Sequence, residues 1–373
     1  MSELAKNSKK NLNKSVQSEI TTLLIVAVAF VIVEIFKSVG LINSHVQGML
    51  VPLCYYSIVA VSLNLVVGIL GDLSLGHAGF MCVGAYASSI FSVVTKDAIP
   101  STWLRFTLAI ILGGIFAAIF GFLIGIPVLR LSGDYLAIVT LAFGEIIKNI
   151  LGSIYVGYDS NGIHMSFEST SSLNLEEDGK LLINGPLGIS GTPKNATFEV
   201  GVVLLLITLV VVLNFINSRG GRAVMSVRDN RIAAESVGIN VTKYKLIAFT
   251  LSAFFAGIAG VLYSHNIAVL AASSKNFGYN MSILFLVFVV LGGIGNIRGS
   301  VIAAVVLTLL PELLRSMNDY RMLIYSIVLI LMMIFTSSPK MIEYREKHGL
   351  HRKVKAGNKK NNVPKDAGGE ENV

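Results

Sequence analysis

The chain has 373 residues, of which 53% are hydrophobic and only 14% charged. A soluble domain of this length carries nearer about a quarter charged residues, so the composition excludes one and points to a polytopic membrane protein. The net charge of +8 is not a nucleic-acid signal, because lysine and arginine gather in the two termini and in the 218–245 stretch, where inward-facing loops of membrane proteins hold them.

Residues 1–20 form a basic tail, with Lys6, Lys9, Lys10 and Lys14. The first apolar run has no small-residue cleavage site behind it and reads as a retained span rather than a signal peptide. Apolar runs then recur at roughly 21–36, 49–70, 79–94, 104–129, 135–155, 199–217, 246–265, 281–296, 299–315 and 321–336. The expected fold is therefore all-α, with about ten transmembrane helices, some short or broken, in one membrane domain covering 21–336. Several runs fall short of the roughly 20 residues a perpendicular span needs, and glycines at their ends suggest broken or re-entrant helices. Cys54 and Cys82 both sit in apolar runs and read as small packed hydrophobes.

Between the second and third runs lies VVGILGDLSLGHAGFMCVGAY, residues 66–86. Asp72, Ser74 and His77 cannot face lipid cheaply, so they face protein, water or the membrane boundary. A short polar turn between spans explains the cluster as well as a functional role does. The fourth run carries Gly113, Ala117, Gly121 and Gly125 four residues apart, a smooth stripe for close helix packing. Ala253 with Gly257 and Ala256 with Gly260 repeat the device in the seventh run.

The fifth run opens SGDYLAIVTLAFGEIIKNIL. Glu145 lies about 16 Å beyond Asp134 at 1.5 Å per residue, close to mid-bilayer. Lys148 is three residues further and can pair with it. Two readings stay open at this point: a pathway or gating residue, and an internal ion pair that fixes helix packing.

Residues 156–198 are a long polar segment rich in turn chemistry, either a small folded cap, a variable insertion, or a receiver for a soluble partner. The 218–245 stretch is polar until the seventh run begins. Its centre, VRDNRIAAESVGINV, reads as a two-turn helix, with Asp229 or Asn230 able to cap its start and Gly238 placed to end it. Ala233 and Val237 share a face, and Ala233 and Ala234 are small enough for a partner to approach. An ordinary surface helix has the same pattern. Four glycines, Gly292, Gly293, Gly295 and Gly299, surround Asn296 and Arg298 as a break between two further spans. No lysine follows them in a phosphate-binding pattern, so ATP binding by this chain has no residue support. HExxH, GxSxG and clustered Cys/His ligands are also missing from the sequence, which leaves a membrane enzyme without a catalytic set.

Ten spans put both tails on one side. The segments on that side hold 21 lysines and arginines against 8 on the other, which places the tails (1–20 and 337–373) and the 218–245 loop in the cytoplasm and 156–198 outside.

Four stretches together resemble the permease subunits of branched-chain amino acid ABC transporters. They are the G-x-L-S-L-G-H-A-x-F run around Ser74, Gly76 and His77, the run from Arg130 through Tyr135, Thr140 and Glu145, the VRDNRIAAESVGINVTKYKL loop, and the glycine-rich stretch at 292–299. Ala303 stands where the last pattern has a glycine, and the stretch around 166–180 departs from the family.

The resemblance implies that the 218–245 loop is the coupling segment, with Arg228, Asp229, Asn230, Ala234, Glu235 and Gly238 meeting separate ATPases. It implies that Ser74, Gly76, His77, Tyr135, Thr140 and Glu145 lie near the translocation path. It implies a bacterial inner-membrane location, a second related permease, two ATPase subunits that use ATP and Mg, a substrate-binding protein outside, and no cofactor or metal on this chain. Urea or short amides are an alternative cargo, and an ion-coupled carrier with Glu145 as its proton site is an alternative class.

Overall fold

The computed structural model describes residues 21–40, 43–96, 98–131, 133–159, 162–175, 179–314 and 320–337. The expected tails at 1–20 and beyond 337 lie outside the described residues. Among the described residues eight helices are long and apolar enough to cross a membrane, and two more of 17 residues each follow them. In chain order these are α1 (Thr21–Ser38), α2 (Ser44–Asn64), α3 (His77–Val94), α4 (Thr102–Val128) and α5 (Asp134–Ser153). After the segment at 154–197 come α6 (Phe198–Asn217), the short α7 (Arg219–Asp229) and α8 (Arg231–Ser236), and then α9 (Val241–Ser264). Next are α10 (Ser274–Phe277), α11 (Tyr279–Gly292), α12 (Ile297–Leu313) and α13 (Arg321–Ser337). Met1–Tyr325 forms one compact unit. In the second, Ser326–Val373, the described residues are the remainder of α13.

α9 is the hub and packs against α2, α3 and α4. Lipid gives no hydrophobic drive for helices to associate, so close dispersion contact has to hold them. The small residues supply it. A Cβ added at Gly84 of α3 would lie 2.3 Å from Gly257 O on α9, and one at Gly257 would lie 2.4 Å from Ala117 Cβ on α4. The α4 stripe continues this seam, with Gly113 against Val261, Gly121 against Ala253 and Gly125 against Leu246. The three backbones meet with no room for a side chain.

α2 does not end as an α-helix. Residues Leu65–Leu70 widen into a π-turn closed by Gly71, whose φ of 82° is left-handed and suits glycine. The chain then runs irregularly to Gly76 before α3 starts. α11 is likewise separated from α10 by an extended Gly278. Both breaks expected from the sequence are present, at 71–76 between α2 and α3 and at 293–296 between α11 and α12.

The segment between α5 and α6 is not featureless. β1 (Tyr155–Asp159) pairs antiparallel with both β2 (Gly162–Ser166) and β3 (Lys180–Asn184). A second small sheet pairs β4 (Ile189–Ser190) with β5 (Val269–Leu270), so this lobe is hydrogen-bonded to the connection that follows α9. The strands are a local addition to an all-α membrane fold.

The crossing makes a prediction. Gly84→Ala should destabilise the purified protein by about 1–3 kcal/mol through overpacking. Gly48→Ala, with nothing within 4 Å of the new methyl and an exposed position within α2, should cost nothing and gain up to about 1 kcal/mol of helix propensity. Thermal unfolding in detergent, followed by size-exclusion recovery, checks both.

Candidate functional site

α8 is a small projecting helix. The Asn230 side chain, not Asp229, caps it: its Oδ1 accepts from Ala233 N at 3.0 Å. Asp229 instead accepts from Arg228 at 2.9 Å and stays exposed. Arg231 and Glu235 pair across one turn at 3.1 Å. Gly238, at φ 82°, closes the helix and returns the amide of Ile239 to Ala234 O.

Ala234 corrects the expectation that it meets a partner. It is buried in a cluster with Val227, Val241 and Ile239, and so anchors α8 to α7 and to the start of α9. The outward apolar residues are Ile232, 80% exposed, and Val237, 74% exposed, with Ala233 and Glu235 also exposed. Spacing alone did not say which alanine faced inward.

Two side chains fasten this unit to the end of α2 and to the break that follows it. Arg228 Nη1 donates to Gly68 O at 3.0 Å, and its aliphatic stem lies over Gly71, where a Cβ would sit 2.5 Å from Arg228 Cγ. Four residues into α9, Lys245 Nζ donates to both Asp72 oxygens, at 2.9 and 2.7 Å. Both side chains of that pair are nearly buried. Asp72 thus faces protein. Lys245 had drawn no attention in the sequence, because a lysine at the mouth of a span reads as ordinary inward-facing charge.

Beyond Asp72 the chain climbs beside α9. Ser252, seven residues and therefore about 10 Å further along α9, meets His77 Nε2 at 2.7 Å. Ser252 Oγ gives its proton to Ser62 O on α2 at 2.6 Å. It therefore accepts from His77, which fixes the Nε2–H tautomer and leaves Nδ1 to accept from Ser74 Oγ at 3.3 Å. α3 thus begins buried beside its neighbours, and their hydroxyls meet the amides at and just before its start. Thr140 Oγ1 accepts from Leu75 N at 3.0 Å, and Ser282 Oγ accepts from Ala78 N at 3.2 Å. Gly76 and Gly79 let α5 lie against this start, since added Cβ atoms would fall 2.6 Å from Thr140 O and 2.7 Å from Gly144 Cα.

Ser74, Gly76, His77 and Thr140 therefore come together. Glu145 belongs to a neighbouring junction. One carboxylate oxygen accepts from Tyr279 N at 2.6 Å, capping α11, and the other accepts from Lys148 Nζ at 2.5 Å. Lys148 also donates to Ser274 Oγ at 3.0 Å. The pair fastens α5 to the broken α10–α11 helix. Tyr135 joins neither group: it is 73% exposed on the outer face of α5.

The sequence reading also missed Asn64, which is fully buried. It accepts from Gly295 N at 2.9 Å and donates to Ser300 Oγ at 2.7 Å, so the glycine-rich break is bonded to α2 one turn before Arg228's acceptor. A lone asparagine in an apolar run carries no signal of a partner 231 residues away. Among the described residues no group of three His, Cys, Asp or Glu gathers as metal ligands.

Residues 45–337 match the family described as branched-chain amino acid transport system / permease component. The chain belongs to this family. It is 36% identical over 289 residues to the high-affinity branched-chain amino acid transport system permease protein LivM of Salmonella typhimurium, and 35% identical to LivM of Escherichia coli. Each alignment covers 75% of this chain and 66% of the relative, so the match spans just under two thirds of those proteins' length. The permease protein LivH of Salmonella typhimurium is 23% identical over 253 residues, covering 68% of this chain and 79% of LivH. No solved structure matches. The family is one of multi-pass transport permeases and not of enzymes, consistent with the apolar helices of this chain.

The Asp72–Lys245 pair yields a double-variant test. Asp72→Leu or Lys245→Met alone should cost roughly 3–5 kcal/mol of stability by stranding a buried charge, whereas the double variant should recover most of it. Unfolding midpoints of the four proteins measure the coupling.

Proposed function

We propose that this chain forms half of the membrane pore of an ATP-binding-cassette importer for leucine, isoleucine and valine in a bacterial inner membrane. The carrying observation is the α7–α8 unit, a capped helix that presents Ile232 and Val237 outward while Arg228 and Lys245 bolt it to the end of α2 and the break that follows it. Two large apolar residues held outward together on a rigid mount offer a partner an anchor to cover.

On this reading two separate ATPase subunits, using ATP and Mg, bind α8 from the cytoplasm. Their closure moves the helix as a body, and the two bolts pass the movement to the ends of α2 and α3. The partner shifts the pore only by binding its two states with different affinity. Similarity to both LivM and LivH fits a pore made with a second, related permease. A substrate-binding protein outside delivers cargo, and the similarity to LivM supports branched-chain amino acids over urea or amides. The ion-pairing and capping that occupy Glu145 favour a packing role over a proton site.

Ile232→Asp with Val237→Asp should weaken ATPase association at least about tenfold, as expected for loss of exposed apolar anchors. It should also abolish ATP-driven leucine uptake while the permease stays folded. Co-purification and uptake in proteoliposomes test it, and full ATPase retention with normal uptake would reject the coupling role. A binding protein that takes urea and not leucine would replace the cargo.

The excess of 21 cationic residues over 8 supports cytoplasmic tails and loop. A cysteine placed at the exposed Ser171 should react with an impermeant thiol reagent from outside the cell, and labelling only from the cytoplasmic side would invert the topology.

A further inference from the structure

α4 and α9 touch through small residues on one side of their crossing. On the other side they leave an open groove of about 730 Å³. Its walls are apolar, formed by Phe122 of α4 and by Leu246, Leu251 and Phe254 of α9. One charged side chain lines it, Lys243, beside Thr242 at the start of α9, and no carboxylate does. Lys243 is exposed, and its neighbour Lys245 is already committed to Asp72. Arg130, also exposed, follows the end of α4 that lies against the beginning of α9, where Gly125 meets Leu246. The groove is therefore oily along its length and cationic at one mouth.

Its length suits one leaflet. From Lys243 to Phe254 is eleven residues, about 16 Å of helix, against about 15 Å for half of a bilayer's hydrocarbon core. Lys243 lies three residues before Leu246, where α9 turns apolar, so the mouth falls at the polar end of that helix. No carboxylate of the groove's own walls balances Lys243, and an anionic headgroup would neutralise it.

We propose that this groove seats one anionic phospholipid, with an acyl chain along Phe122, Leu246 and Phe254 and its phosphate on Lys243. The site lies on the helix that directly follows α8, so an occupied groove braces the root of that helix. The inference stands apart from the cargo and coupling readings, because lipid retention can be read without transport.

The test uses the permease purified with whatever subunits accompany it. Native mass spectrometry after exchange into phosphatidylglycerol, or into phosphatidylethanolamine of the same chains, counts retained lipids. Wild type should keep one phosphatidylglycerol and exchange phosphatidylethanolamine freely. Lys243→Gln should lower retention about fivefold, and Leu251→Trp, which fills the groove without touching charge, should abolish it. Equal retention of both lipids, or undiminished retention in both variants, overturns the proposal. So does loss of a second permease subunit from Leu251→Trp with lipid unchanged, which would make the groove a subunit contact.

Discussion

A helix that begins inside a bilayer carries amide hydrogens that no water can reach, and each one left bare costs several kcal/mol. The start of α3 is buried among its neighbours, and the structure depends on how the amides at and just before it are met. Thr140 and Ser282 reach in from α5 and α11, while His77 is held between Ser74 and Ser252. Four helices converge because each contributes one polar group or one glycine there. The broken α10–α11 helix obeys the same constraint, with the Glu145 carboxylate on the first amide of α11.

The glycine seams decide what can move. α3, α4 and α9 cross with backbone against backbone and side chains excluded, which suits a block that shifts as one piece. Around it the contacts are polar and separable: Arg228 on Gly68, Asn64 on Gly295 and Ser300, and Glu145 with Lys148 on the α10–α11 junction. Hydrogen bonds of this kind can be exchanged between two arrangements at modest net cost. The fused crossing cannot be opened without creating voids.

Much of this was legible in the residues. Apolar run length gave the spans to within a few positions, and four-residue spacing of small residues marked the α4 seam. The asparagine–glycine punctuation located α8, and the i,i+3 spacing paired Glu145 with Lys148. What stayed hidden was of one kind: partners far apart in the chain. Nothing near Asn64, Ser252 or Lys245 names Gly295, His77 or Asp72. In a helix as short as α8, two adjacent alanines look alike until the fold shows that Ala234 packs on Val227 and Val241. Tyr135 shared a run with Thr140, but the helix turn placed it on the opposite, exposed side. The strands between α5 and α6 were read as turns because their alternation is brief and broken by glycine and asparagine.

The β4–β5 pairing has a further consequence. It ties the lobe at one end of α9 to the same rod whose other end holds Lys245 and the α8 mount. On the proposed reading, a ligand docking on the outer lobe and a nucleotide bound in the cytoplasm bias one shared equilibrium. Linkage then requires that each alter the other's affinity by the same factor. Loading outside would sharpen ATP binding inside by as much as ATP sharpens loading, so an idle motor and an empty receptor become two symptoms of a single resting state.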